Sequence, residues 1–126
     1  MFSHIMLGAD DMEKSRKFYD AIMEVLGHKP GFMDDKGRCF YMEKSGIFSL
    51  SVPINGEPAS GGNGSTIGFV AENPETIDKW HEVGLANGGT TLEDPPGVRE
   101  GTGGKLYLAY LRDPAGNKIC ALHRLA

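Results

Sequence analysis

The stretch HIMLGADDMEKSRKFYDAIMEVLG, residues 4–27, decides how this chain reads, because a weaker copy follows 62 residues later as TIGFVAENPETIDKWHEVGLANGG, residues 66–89. His4-Ile5-Met6-Leu7 falls on Thr66-Ile67-Gly68-Phe69, Asp10 on Glu72, Glu13 on Glu75, Phe18 on Trp80 and Gly27 on Gly89. Identity is low, but character is kept where structure is punctuated, which is how an internal repeat declares itself. Each copy opens with a short apolar strand and passes into a helix. In the first, Asp10 or Asp11 caps, Glu13 lies in the first turn, and Phe18, Ile22 and Leu26 recur every fourth residue before Gly27 stops the helix. In the second, Asn73 caps, Pro74 takes the first helical position, Ile77 and Trp80 supply the apolar face, and Gly88-Gly89 ends it.

Working outward, strand candidates follow each helix. They are Lys29–Met33, Arg38–Glu43 and Ile47–Pro53 in the first half, and Thr90–Asp94, Leu106–Asp113 and Lys118–His123 in the second. Asp113-Pro114-Ala115-Gly116-Asn117 reads as a tight turn between the last two. Each half is therefore βαβββ. The Gly-, Pro- and Asn-rich segment Ile54–Ser65 joins module 1, about residues 1–56, to module 2, about residues 64–126. Neither module buries its own sheet, so the chain is expected to form a single α+β domain of two βαβββ modules, their curved mixed sheet wrapped around a cleft.

Alternation sorts the strand residues onto two faces. Ile5, Leu7, Phe48, Leu50, Val52, Ile67, Phe69, Ile119 and Ala121 make an apolar face that belongs against the helices. The opposite face carries His4, Met6, Gly8, Ser49, Ser51, Thr66, Gly68, Val70, Cys120 and Leu122. Small, mixed-polarity residues suit the wall of a ligand cleft better than a solvated sheet surface rich in Lys, Glu and Arg.

Composition narrows the function classes. The 126 residues are 40% hydrophobic and 24% charged with a net charge of −4, which gives no basic footprint for nucleic acid or an anionic membrane. No apolar run reaches the 18 residues of a membrane span, and the N-terminus lacks signal-peptide character. Cys39 and Cys120 then read as free thiols of a cytoplasmic protein. The 18 glycines gather at turns and in two loops, Gly61–Gly64 and Gly97–Gly104. Gly101-Thr102-Gly103-Gly104-Lys105 is not a phosphate loop, because Leu106 and a strand follow it. It reads as a mobile loop at the cleft mouth, where Arg99 and Lys105 are placed to attract an anionic ligand. No Gly-x-Ser-x-Gly elbow is present, and no acidic group on the cleft face would orient His4 beside Ser49 or Ser51.

Two motifs carry a family resemblance over essentially the whole chain. The opening histidine strand followed by Asp-Met-Glu-Lys-Ser-Arg-Lys-Phe-Tyr, residues 11–19, resembles the first module of the vicinal-oxygen-chelate group, which includes glyoxalases, bleomycin-resistance proteins and extradiol dioxygenases. Arg112-Asp113-Pro114-Ala115-Gly116-Asn117-Lys118-Ile119 resembles its closing hairpin. The resemblance implies a glyoxalase-like fold and a divalent metal held by the first and fourth strands of each module. Those positions fall on His4, Ser49, Thr66 and Cys120, of which only His4 matches; Glu, His and Glu are usual at the other three. One imidazole, two hydroxyls and a thiol fall short of a catalytic set. The expectation is a homodimeric small-molecule binding protein, similar to bleomycin-resistance proteins, with no metal cofactor, no nucleic-acid partner and no membrane. The ligand cleft is assigned to His4, Met6, Ser49, Ser51, Thr66, Gly68, Cys120, Leu122, Arg99 and Lys105. Two alternatives compete with it. One is a metal-dependent lyase or dioxygenase with an atypical ligand set; the other is a dimeric interaction module with a vestigial pocket.

Overall fold

The side chain of Asp11 accepts a hydrogen bond from Lys14 N (3.2 Å), and that of Asn73 accepts one from Thr76 N (2.8 Å). These caps start the two helices where the sequence placed them. In the computed structural model, which describes residues 1–125, the first module runs β1 (His4–Gly8), α1 (Met12–Val25), β2 (Phe32–Met33), β3 (Cys39–Glu43) and β4 (Gly46–Ser51). The second runs β5 (Ile67–Val70), α2 (Pro74–Ala86), β6 (Thr90–Thr91), β7 (Gly97–Gly101), β8 (Gly104–Arg112) and β9 (Lys118–Arg124). Residue 126, the last position assigned to module 2, lies outside the described residues.

The mixed sheet is built as two hydrogen-bonded sheets, ordered β1-β4-β3-β2 and β5-β9-β8-β6, with β7 also on β8. In both modules the opening strand lies parallel to the last one. Met6 stands beside Ser49 in the first sheet, and Gly68 beside Cys120 in the second. The repeat read from the sequence is thus a repeat of topology, except that the second module adds β7 beside β8.

The apolar face goes where alternation sends it. Phe48, Leu50, Ile119 and Ala121 are buried with Phe18, Ile22, Ile77 and Trp80 in one cluster drawn from both modules, and Ile5, Leu7, Ile67 and Phe69 pack against its edge. The helices meet each other inside it. A Cβ added to Gly84 of α2 would lie 2.3 Å from a methyl of Leu111 and 3.4 Å from one of Ile22, so this glycine sets how closely α1, α2 and β8 approach.

Two expectations are corrected. Val52 is not part of the buried face. Strand β4 ends at Ser51, Pro53 follows, and Val52 stands 49% exposed. The segment Gly97–Gly104 is not a loop. Val98, Arg99 and Glu100 pair with Tyr107, Leu106 and Lys105, and a two-residue turn at Thr102-Gly103 closes the hairpin. Gly104 takes φ 110°, a conformation cheap only for glycine.

The closing turn is more than a turn. Asp113, buried, accepts from Ala115 N and Asn117 N through Oδ1, and from Asn117 Nδ2 and the Tyr19 hydroxyl (2.6 Å) through Oδ2. Asn117 Nδ2 also donates to Gly8 O at 2.9 Å. One carboxylate therefore ties α1, the end of β1 and the β8–β9 hairpin together. Burial, and then the nearby Asp113 charge, hold the Tyr19 hydroxyl well above its ordinary pKa.

Tyr19→Phe is expected to cost about 1–3 kcal/mol in urea unfolding, because a buried carboxylate loses a donor. A pKa raised in the folded state gives stability that is complete below the unfolded value of 10.0 and is lost as pH climbs above it. Melts between pH 8 and pH 11 should accordingly show a shallower alkaline loss in Tyr19→Phe than in the native chain.

Candidate ligand-binding faces

Residues directly opposite in a ladder share a sheet face, so the registers give the outer faces, those turned away from the helices. On the first sheet one row runs Met6, Ser49, Phe40, Phe32 and the next His4, Ile47, Met42. On the second, one row runs Gly68, Cys120, Tyr110 and the next Val70, Leu122, Leu108. These faces are more apolar than the sequence reading gave, since Phe32, Phe40, Met42, Ile47, Leu108 and Tyr110 were missed. Alternation extended to the remaining strands would have found most of them. Phe32, Met42 and Val70 are 62%, 61% and 85% exposed, so no described residue covers either face at those points.

The structure brings His4, Met6, Ser49 and Ser51 together on the first sheet, and Gly68, Cys120 and Leu122 on the second. His4 is exposed and its Nδ1 sits 2.7 Å from Ser3 Oγ. Ser49 is fully buried and its hydroxyl donates to Ile5 O at 2.7 Å, which commits the proton to the neighbouring strand. Ser51 likewise donates to Val52 O, at 3.0 Å. Thr66 lies one residue before β5 and is exposed. Gly68 leaves room above its neighbour: a Cβ there would be 3.1 Å from Cys120 Sγ. Leu122 is half-buried.

Arg99 and Lys105 are not a pair. Arg99 lies opposite Leu106 and Lys105 opposite Glu100, so the two side chains leave opposite faces of the hairpin. The Arg99 guanidinium donates from Nη2 to Asp94 O and Pro95 O, each at 3.0 Å, and braces the loop before β7. The other histidines have local partners. His28 Nδ1 lies 2.9 Å from Glu43 Oε1, His81 Nε2 lies 3.0 Å from Thr91 Oγ1, and His123 Nδ1 lies 3.1 Å from Ala71 O.

Two features had no signal in the sequence reading. The linker packs back onto the first sheet. Asp10 Oδ1 accepts from Ala59 N at 2.6 Å, and Pro53, Ile54 and Ala59 wall a recess of about 450 Å3 whose floor is Met6, Gly8 and Ser51. On the second sheet, the Lys118 ammonium lies 4.7 Å from the Tyr110 ring centre and pairs with Glu93. Glu93 holds φ 58°, unusual for a residue with a side chain. Burial pushes the Cys120 thiol up to about 11, against a smaller lowering by Lys118.

The four positions carried over from the family offer one imidazole, His4, two neutral hydroxyls, Ser49 and Thr66, which are weak metal donors, and the Cys120 thiol, whose pKa burial raises. Among the described residues, no three His, Cys, Asp or Glu side chains converge on a point that would hold a metal ion.

Paired modules, βαβββ and βαββββ, each with its opening strand parallel to its last, define a glyoxalase-like architecture. The comparisons agree. Residues 1–121 match the family model for the glyoxalase/bleomycin resistance protein/dioxygenase superfamily, and the chain belongs to that superfamily. A glyoxalase/bleomycin resistance protein from Albidiferax ferrireducens T118 is 60% identical; the alignment covers 98% of this chain and 99% of that one, with a TM-score of 0.95. A lactoylglutathione lyase from Agrobacterium tumefaciens shares the fold at 21% identity, 97% and 92% coverage and a TM-score of 0.66. A glyoxalase-related enzyme from Fulvimarina pelagi does so at 19% identity, 98% and 88% coverage and 0.74. No curated protein matches the chain.

Cys120 should alkylate slowly. A thiol titrating near 11 carries about 100-fold less thiolate at neutral pH than one at the ordinary value of 9.0. Mass spectrometry after iodoacetamide at pH 7.5 is expected to find it largely unmodified in the folded chain and fully modified in urea.

Proposed function

We propose that this protein binds an apolar or weakly polar small molecule without the help of a catalytic metal, on the outer faces of its two sheets, and that a second copy of the chain completes the cleft. The observation that carries the reading is the character of those faces. Met6, Phe40, Ile47, Leu108, Tyr110 and Leu122 make them apolar at the centre, with Cys120 and Gly68 keeping the surface low. Buried apolar walls with few polar groups are what a small-molecule cleft is made of. The donor chemistry at His4, Ser49, Thr66 and Cys120 supports a role in which shape and apolar contact, rather than a Lewis acid, hold the ligand.

The homodimer rests on two features of the isolated chain. Strands β1 and β5 each end a sheet with an unpaired edge, and the outer faces leave large apolar side chains in solvent. A copy related by a twofold axis would cover both at once. No helix among the described residues is long and apolar enough to cross a membrane, and Cys39 and Cys120 are free thiols, which fits a reducing cytoplasm.

Elemental analysis of protein purified without an affinity tag decides the metal question. The expected result is no stoichiometric Zn, Ni, Fe or Mn, and a melting temperature that does not move when these ions are added. One tightly held metal per chain, lost in His4→Ala, would favour a metal-dependent lyase or dioxygenase instead. Light scattering at micromolar concentration should give twice the 13.6 kDa chain mass.

A further inference from the structure

A second recess opens between the two modules beyond the end of α1, and Ile47, Gly68 and Val70 of the outer faces lie on its margin. Helix α1 stops at Val25 and the chain turns away at Gly27, φ 90°, so the helix ends before it covers the start of β1. Beyond that end the helix-facing residues Ile5, Ile67 and Phe69 stay half-buried, although alternation directs them at the core. They surround a recess of about 510 Å3, with Met23, Leu26 and Phe48 completing its apolar wall. Phe48 and Phe69 meet edge to face at 5.2 Å and make a rigid floor that joins the two modules. The volume lies within the range of ligand pockets, about 300–1,000 Å3, and far above the roughly 30 Å3 share of one water.

The rim is small and negatively biased. Ser45 and Gly46 bound it at the β3–β4 turn and put no bulk across the opening. Glu43 lies on the rim, with Oε1 2.9 Å from His28 Nδ1 and, among the described residues, no protein partner on Oε2. The carboxyl-terminal end of α1, with no basic residue in its last turn, adds its partial negative charge at the same end. Neither Lys29 nor Lys44, the sequence neighbours of His28 and Glu43, lines the recess. An apolar interior under a single carboxylate suits an amphiphile with a hydrocarbon body and a protonated amine head.

We infer that the recess between the end of α1 and strand β5 is a second ligand site, centred on the helix-facing side chains, which takes an apolar primary amine with its head against Glu43. The test uses the full chain and N-phenyl-1-naphthylamine, whose fluorescence rises in apolar surroundings. A saturable probe component is expected that n-octylamine displaces at concentrations about fivefold lower than octanoate at pH 7.5, beside any probe held on the outer faces. Glu43→Gln changes a partly exposed side chain and should remove that preference with no change in melting temperature. Ile67→Phe fills the recess from the helix-facing side and should weaken the probe at least about tenfold. The inference is overturned by equal displacement by amine and carboxylate in the native chain, or by an amine-displaced component that survives Ile67→Phe. A signal that falls as protein concentration rises would overturn it too, because a second copy would then be the occupant. Failure here leaves the outer-face reading standing, since neither substitution touches that face.

Discussion

One buried carboxylate ties the two modules together. Asp113 sits buried at the turn between the last two strands, where four donors reach it: two turn amides, the side chain of Asn117 and the hydroxyl of Tyr19. A buried charge is tolerable only when it is fully satisfied, so these partners are obligatory rather than decorative. Tyr19 belongs to the first module and Asp113 to the second. Asn117 extends the same network to the carbonyl of Gly8 at the end of β1. The constraint holds α1 against the closing hairpin and thereby fixes where each sheet lies relative to the shared core. The apolar cluster supplies most of the driving force at roughly 25 cal/mol per Å2 of buried area, but apolar contact alone does not choose one arrangement of two similar modules.

With the modules locked through their helix-facing sides, the outer faces carry apolar side chains with few donors. The hydroxyl of Ser49 is already donated to the carbonyl of Ile5, so it serves strand pairing. The thiol of Cys120 is held protonated by its own burial. Gly68 beside it leaves a shallow place on the sheet, next to the ring of Tyr110 under its lysine. Apolar side chains with few fixed donors favour a ligand recognised by shape.

Some of this could be read without coordinates. Both caps, the proline at the start of α2 and the glycines after each helix are local signals and fell where expected, because capping involves groups three residues apart. The split of Phe48, Leu50, Ile119 and Ala121 from Ser49 and Cys120 also followed from alternation, which needs no tertiary information. The β7–β8 hairpin was hidden by its own glycines. Four glycines in eight residues, Gly97–Gly104, read as a loop, although Val98 to Glu100 alternates and pairs across a two-residue turn. Long-range pairing decided that segment against its composition.

The sequence by itself determined the two-module repeat and the family, since each is a matter of residue type, spacing or short-range pattern. Only the tertiary structure decided which of those residues meet. It separated Arg99 from Lys105 by putting them on opposite faces of one hairpin, and it left Thr66 short of its strand. It folded the linker back so that Ala59 walls a recess over Gly8 and Ser51, and it opened another where α1 ends before β1 is covered. It also made a turn motif into a tether between modules. The physical reason is the same in each case. Proximity between residues distant in the chain is set by how whole elements pack, and a helix one turn longer would leave the local signals unchanged while closing the recess beside Ile67.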